Sequence, residues 1–173
     1  FESYVSGEQP LDWMDTAAGN SLEENDALFE VLDLGGEKVF GTASTATNIH
    51  SHYFGAALEG LSHYEYSGRM MITNPSGGVG VTFFSQYPLE DAYYRLRRYS
   101  GKPAFHIAPH GTGISGDIDT GVVPVENTWY RFRIQVEDAG TQTEIRAKVW
   151  ADGEGEPPEW QVQAYDATRQ HRL

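Results

Sequence analysis

The sequence predicts an all-β protein, an antiparallel sandwich or barrel built from ten or more short strands. Apolar and polar residues alternate along many short segments, and turn formers separate these segments, with 19 Gly and 8 Pro in 173 residues. Aromatic residues, which favour strands, make up 13% of the chain. This pattern is typical of antiparallel sandwiches and barrels. We therefore expect less than about 10% helix, well below the usual third.

Length and composition limit the classes of protein to which the chain can belong. At 173 residues we expect one domain, 1–173, that buries about 68–70% of its unfolded surface. The absence of cysteine excludes disulfides and thiolate metal sites. A net charge of −13 disfavours nucleic acid as a partner, and no apolar run approaches the roughly 20 residues of a membrane span. Because the chain starts at Phe1 without a signal sequence, we expect a mature or excised piece of a longer protein.

The first half of the chain predicts short strands separated by loops. Residues 1–4 form the first predicted strand, and Trp13 anchors the following loop as a lid on the core. Residues 28–34 and 38–41 form a hairpin, because a pair of glycines between them allows the positive φ angles of a tight turn. Residues 49–54 alternate as a further strand.

The second half carries the longest hairpin pattern, over residues 128–152. Core-facing Tyr130, Phe132 and Ile134 alternate there with polar residues, and Trp129 or Tyr130 is expected to anchor the core. Further strands are predicted over 62–72, 79–86, 92–100, 104–108, 118–125 and 160–165.

Several of these segments together resemble the concanavalin A-like lectin/glucanase superfamily, specifically its bacterial laminin-G-like modules. The resemblance lies in FESYVSGEQPLDW, KVFGT, GVGVTFF, DAYYRLRRY, WYRFRIQVED and EIRAKVWADGEGEPPEWQVQAYD, which cover most of the chain. It implies a jelly roll of two curved antiparallel sheets. It also implies a secreted module that binds carbohydrate or mediates adhesion, often with one structural Ca²⁺.

The sequence departs from such modules at its end. They usually close with a strand that returns beside the first, whereas residues 167–173 lack that pattern. We expect a truncated chain, a disordered final part, or a partner chain that supplies a strand to the open sheet edge.

Basic residues cluster on the predicted strands of this acidic chain. If these strands belong to one sheet, one groove contains the predicted ligand-binding residues Tyr93, Arg95, Arg97, Tyr99, Arg131, Arg133, Arg146 and Trp150. Arginine binds carboxylate or sulfate bidentately and aromatic rings stack on sugars, so such a groove would suit an anionic glycan. The alternative is local pairing of these arginines with Asp and Glu on neighbouring strands.

Histidines provide a second candidate site. His50 and His52 share one strand face and could bind a transition metal together with His63 or His106. Jelly-roll polysaccharide lyases pair a His with a Tyr, so a lyase acting on a uronate polymer is the alternative function. The simpler interpretation is a pair of hydrogen-bonded strand histidines.

The carboxylates of the sequence give little support to glycoside hydrolysis and some support to a calcium site. The alternating E-x-D-x-E run of laminarinase-like enzymes is absent, which disfavours a glycoside hydrolase. The resemblance places a calcium site near the first strand and the end of the chain, where Glu2 and Asp166 lie, with residues 21–26 as a further source of ligands. Asp117, Asp119 and Gly121 form a second candidate site. The favoured function is thus a non-catalytic, extracellular carbohydrate-binding or adhesion module, with strand complementation by a structural subunit as a further alternative.

Overall fold

A computed structural model describes residues 1–17, 22–23, 28–58 and 60–168 of the chain. Their secondary structure consists of β-strands and one three-residue 3-10 helix, Ala56–Leu58. The prediction of an all-β chain with almost no helix is therefore confirmed. Within these residues there is no helix with the length and apolar character that crossing a membrane requires. Contacts group the chain into two compact units, Phe1–Glu59 and Gly60–Leu173.

The first unit contains two small antiparallel sheets. Its strands are β1 (Trp13–Thr16), β2 (Leu22–Glu23), β3 (Glu30–Leu34), β4 (Glu37–Gly41) and β5 (His50–Tyr53). One sheet has the order β2-β1-β5, and β3 pairs with β4 in the other. Gly35 and Gly36 connect β3 to β4 with φ angles of 71° and 97°, so the predicted glycine hairpin is confirmed.

Residues 1–4 form a turn, and the strand predicted there is wrong. The amide of Tyr4 donates to the carbonyl of Phe1 at 3.1 Å, which closes the backbone locally. The ring of Phe1 instead packs against Trp13, with the ring centres 6.4 Å apart. The rings of Phe40 and Tyr53 lie 4.8 Å and 5.5 Å from the Trp13 ring. Trp13 is half-buried in this aromatic cluster of the first unit.

The second unit contains the larger sheets. Its strands are β6 (His63–Met71), β7 (Gly78–Phe83), β8 (Tyr93–Tyr99), β9 (Lys102–His110), β10 (Ser115–Asp117), β11 (Trp129–Asp138), β12 (Thr143–Ala151) and β13 (Val162–Asp166). Five of them form a sheet in the order β10-β13-β12-β11-β6, and three form the sheet β7-β8-β9. All pairs in both sheets are antiparallel.

The two sheets of the second unit share one hydrophobic core. Tyr130 on β11 is 6% exposed, and its ring lies 6.0 Å from that of Phe105 on β9. The alternation that predicted the 128–152 hairpin is reproduced as β11 and β12, with Phe132 opposite Val149 and Ile134 opposite Ala147 on the core side. This arrangement is a β-sandwich, and of the two predicted core anchors Tyr130 has that position.

The predicted strand 118–125 is irregular but follows β9. Ile107 donates its amide to Ile118, and Phe105 donates to Val122. This segment therefore extends the edge of the three-stranded sheet beyond β9 without forming a regular ladder. One isolated bridge joins it to His106 through Asp119.

Candidate functional site

The predicted basic groove divides between the two sheets of the second unit. Arg95 and Arg97 lie on β8, whereas Arg131, Arg133 and Arg146 lie on β11 and β12 of the other sheet. Both groups alternate with residues of the shared core, so they point away from it on opposite faces. The condition for one groove, that all these strands belong to one sheet, is therefore not met. Alternation assigns a side chain to a strand face but does not specify which strands are neighbours.

Cations in the middle of the five-stranded sheet are paired with carboxylates. Arg133 Nη1 lies 2.6 Å from Glu65, and its Nη2 lies 3.1 Å from Glu156. Lys148 Nζ reaches the same Glu156 at 3.3 Å and also donates to the carbonyl of Pro157 at 2.7 Å. Local charge pairing, the alternative to a glycan groove, describes these two residues.

The remaining cations of this face have the same arrangement. Arg131 and Arg69 both contact Asp152, and the hydrogen bond from Arg131 is the largest of the effects that lower the pKa of this carboxyl. Arg146 lies 3.0 Å from Glu144 on its own strand. Solvent screens surface pairs of this kind, so they neutralise the charge of the face without adding much stability.

Tryptophan rings of the five-stranded sheet also pack against neighbouring side chains of the protein. Trp150, which was predicted to stack on a sugar, is only 9% exposed and lies opposite Arg131. The guanidinium of Arg69 lies 4.6 Å from the ring centre of Trp129. The rings on this side therefore pack against the protein's own side chains.

The outer side chains of β8 form a row of Tyr93, Arg95, Arg97 and Tyr99, which we call the Arg–Tyr row. The Arg95 guanidinium lies 5.5 Å from the centre of the Tyr93 ring, and that of Arg97 lies 5.1 Å from Tyr99. Tyr99 is 41% exposed, whereas Tyr93 is 5% exposed and stacks on His110 at 4.6 Å. The structure therefore places these four predicted residues side by side, with Tyr99 as the accessible ring.

The two arginines of this row make no ion pair with a carboxylate in the described part of the chain. Arg95 donates one hydrogen bond, from Nη2 to the carbonyl of Pro109 at 3.2 Å. The Nε atoms of both Arg95 and Arg97 are buried without a hydrogen-bond partner among the described residues. Burial, and then the charge of Arg97, lowers the pKa of Arg95. Asp91, whose charge opposes this effect, lies 3.0 Å from His110.

Glycines on β7 allow this strand to lie close to the arginines of β8. Gly80 lies directly opposite Arg97, and Gly78 lies opposite Tyr99. A Cβ added at Gly80 would be 2.5 Å from the carbonyl oxygen of Leu96 and 2.7 Å from Cβ of Arg97. Such contacts are too short, so only glycine allows the two strands to approach here. The sequence signal for this feature was GVGVT, in which small residues alternate with valine.

His106 lies opposite Arg97 on the other neighbouring strand, β9. Its Nδ1 is 2.9 Å from the carbonyl oxygen of Ala104, and the ring is almost fully buried. Burial lowers the pKa of His106, and the charges of Lys102 and Arg97 lower it further, which outweighs the hydrogen bond to Ala104. His106 is therefore neutral near pH 7 and adds no charge to the row.

The other histidine candidates make local contacts. The rings of His50 and His52 lie 5.9 Å apart on β5 of the first unit, and His52 Nε2 lies 3.3 Å from Oγ1 of Thr16. In the second unit His63 Nδ1 lies 3.0 Å from Oγ of Ser62. Across the ranges that the structure describes, no group of three His, Asp or Glu side chains is arranged to hold a metal ion.

Asp166, a predicted calcium ligand, is a buried hydrogen-bond acceptor. One carboxylate oxygen accepts from the hydroxyls of Tyr94 and Thr112, and the other accepts from the amide and hydroxyl of Thr168. Burial raises the pKa of Asp166, but these hydrogen bonds outweigh burial and lower it. The other predicted ligand, Glu2, belongs to the first unit and pairs with the N-terminal amine.

The second predicted calcium site has its own local contacts. Asp119 lies 3.7 Å from Lys102 and accepts a hydrogen bond from the amide of Gly121 at 3.0 Å. Asp117 lies at the end of β10 opposite Gln163. The loop 21–26, a further predicted source of ligands, lies outside the described residues except for the backbone of β2.

The second unit is therefore an all-β, sandwich-like fold whose three-stranded sheet carries two arginines without a carboxylate partner in the described ranges. Comparison of the chain with protein families, curated proteins and solved structures found no match.

Proposed function

We propose that the chain is a non-catalytic module that binds an anionic glycan at the Arg–Tyr row. The observation that supports this proposal is a pair of adjacent arginines, Arg95 and Arg97, that have no carboxylate partner among the described residues, in a chain with 25 acidic and 12 basic residues. Arg131, Arg133 and Arg146 have such partners. Like charges held side by side favour a ligand that brings the opposite charge.

The chemistry of the row suits a carboxylated or sulfated sugar. Guanidinium groups bind such oxyanions through parallel N–H donors, and the accessible ring of Tyr99 offers a face for stacking on a sugar ring. Tyr93 is buried, so its ring packs against the Arg95 guanidinium and is not a stacking surface for a ligand. Gly80 lets β7 approach Arg97 closely, so no side chain projects from the position directly opposite this arginine.

The type of sandwich and the parent protein are part of the same proposal. We propose that the sandwich is a laminin-G-like jelly roll and that the chain is part of a larger secreted bacterial protein with a role in adhesion. This rests on the sequence segments that resemble such modules. A structural Ca²⁺ with Asp166 as a ligand is proposed on the same basis.

The experiment compares Arg97→Ala with Arg133→Ala by calorimetric titration. Both are half-exposed strand arginines, but Arg133 is paired with Glu65, which makes it a matched control. Titration of wild type with acidic and neutral oligosaccharides should give binding to the acidic ones. Loss of hydrogen bonds to a charged group should weaken this binding about 10- to 150-fold in Arg97→Ala, and Arg133→Ala should bind as wild type.

Raising the salt concentration provides a second criterion. Surface charges are screened over about 8–10 Å at physiological ionic strength, so affinity for the acidic glycan should fall as salt rises. Equal binding of neutral and acidic glycans, or equal loss in both variants, would overturn the role assigned to the row.

A further inference from the structure

β6 is a nine-residue strand at one edge of the five-stranded sheet. One hydrogen-bonding edge of β6 pairs with β11 over the whole strand, from His63 opposite Glu137 to Met71 opposite Trp129. No other strand of the described chain pairs with the opposite edge of β6. Ser67, in the middle of the strand, is exposed together with its two C-terminal neighbours. A long exposed edge is a template for pairing with another strand.

We propose that this edge pairs antiparallel with β6 of a second copy of the chain, about a two-fold axis at Ser67. Such a dimer would join two five-stranded sheets into one continuous sheet, through the same patch on both copies. The resulting pairs, first copy to second, are His63 with Met71, Tyr64 with Met70, Glu65 with Arg69, Tyr66 with Gly68, and Ser67 with Ser67.

Charge complementarity on the outer face supports a second copy as the partner. Glu65 lies opposite Arg69 of the second copy, and the symmetry gives the same pair again on the other side of Ser67. Within its own chain Glu65 contacts Arg133 and Arg69 contacts Asp152, but the side chains remain 45% and 36% exposed. Both can therefore contact a further charge across the new pair of strands.

The same two charges select this register over its neighbours. A shift of the pairing by four residues in one direction brings Glu65 opposite Glu65, and in the other direction it brings Arg69 opposite Arg69. A shift by two residues places neither charge opposite its complement. A shift of the pairing by an odd number of residues would place core-facing side chains of one copy beside solvent-facing side chains of the other. The register centred on Ser67 is thus the one that pairs opposite charges.

The side chains on the core-facing side of β6 also fit those of a second copy. Gly68 has the ring of Phe132 beneath it, and an added Cβ would lie 3.0 Å from that ring. The proposed register places Tyr66 of one copy across from Gly68 of the other. A glycine opposite a tyrosine leaves this pair free of a clash between two large side chains. The opposite edge strand, β10, has only three residues and offers a much shorter template.

A cysteine at the two-fold axis tests the geometry directly. Antiparallel neighbours have Cα atoms about 4.5 or 5.5 Å apart, and both distances allow a disulfide. Because the natural chain has no cysteine, Ser67→Cys introduces the sole thiol. Under mild oxidation this variant should form a covalent dimer. Ser115→Cys, an equally exposed serine on the other edge strand, is the control and should stay largely monomeric.

Charge reversal tests the register by sedimentation equilibrium. Glu65→Lys or Arg69→Glu alone places like charges opposite each other twice in the dimer, and should weaken association by at least about tenfold. The double reversal restores both pairs and should recover most of that loss. Thermal melts of each variant will show whether the fold is intact. A wild type that remains monomeric at millimolar concentration, Ser67→Cys that cross-links no faster than Ser115→Cys, or a dimer insensitive to charge reversal would overturn the proposal.

Discussion

Replacement of Asp166 by Asn should destabilise the second unit through its hydrogen bonds. Asp166 is 1% exposed and accepts from Tyr94, Thr112 and twice from Thr168. Asn keeps one oxygen, which must continue to accept from the Thr168 amide. The new amide group then faces the hydroxyls of Tyr94 and Thr112, which have to turn away or lose their acceptor.

The magnitude follows from the two bonds that are lost. Hydrogen bonds to a charged group contribute about 1.5–3 kcal/mol each. Thr112 has another partner, the hydroxyl of Thr168 at 2.8 Å, so part of its loss is recovered. The net cost should be about 2–3 kcal/mol, which lowers the melting temperature by roughly 4–12 °C for a chain of this size. Urea unfolding followed by circular dichroism measures it.

A double-mutant cycle with Tyr94→Phe separates this explanation from general disruption. Tyr94→Phe removes one hydrogen bond to the charged carboxylate and should cost at least about 1.5 kcal/mol in wild type. In the Asp166→Asn background the same change should cost much less, because the acceptor is already gone. If Asp166→Asn stays within about 0.5 kcal/mol of wild type, or if the two costs simply add, the carboxylate does not act as described.

The pH dependence has a definite sign. The pKa of Asp166 is lowered in the folded chain, so its contribution is fully present above the unfolded pKa of about 3.9. It is lost as pH falls through the lower, folded pKa. The difference in stability between wild type and Asp166→Asn should therefore be constant near neutral pH and shrink in acid.

Two further predictions concern a buried charge and calcium. Arg98 is 4% exposed and donates to the carbonyls of Pro75, Gly77 and Pro103. Arg98→Met should therefore lower the free energy of unfolding, measured by chemical denaturation, by about 2 kcal/mol, and Arg98→Lys should lie between Arg98→Met and wild type. An unchanged denaturation midpoint for Arg98→Met would contradict this. If calcium binds at Asp166, millimolar calcium added after chelation should raise the melting temperature of wild type but not of Asp166→Asn, and an unchanged wild type would remove calcium from the proposal.

Local patterns predicted the strands well because their causes are local. The hairpin of 128–152 is present as β11 and β12, since the alternation around Ile134 puts every second residue in the core. The inward direction of Arg98 also follows from alternation with Tyr94 and Leu96. Residues 1–4 were predicted wrongly because four residues are too few to distinguish a strand from a turn.

The candidate site was predictable in its residues and not in its layout. The Arg–Tyr row lies on one strand, so spacing alone placed Arg95 and Arg97 side by side. Its separation from Arg131 depends on which strands pair, and such long-range pairing has no signature within a strand. The partners Glu65 and Glu156, which neutralise Arg133, are distant from it in sequence for the same reason.

The positions of the four tryptophans determine what intrinsic fluorescence can report. Trp129, Trp150 and Trp160 pack against cations or paired side chains of the five-stranded sheet, and Trp13 belongs to the first unit. Strands β7, β8 and β9 contain none. A glycan at the Arg–Tyr row would therefore leave the emission of the three tryptophans of the second unit nearly unchanged, so these tryptophans would not report binding to that sheet.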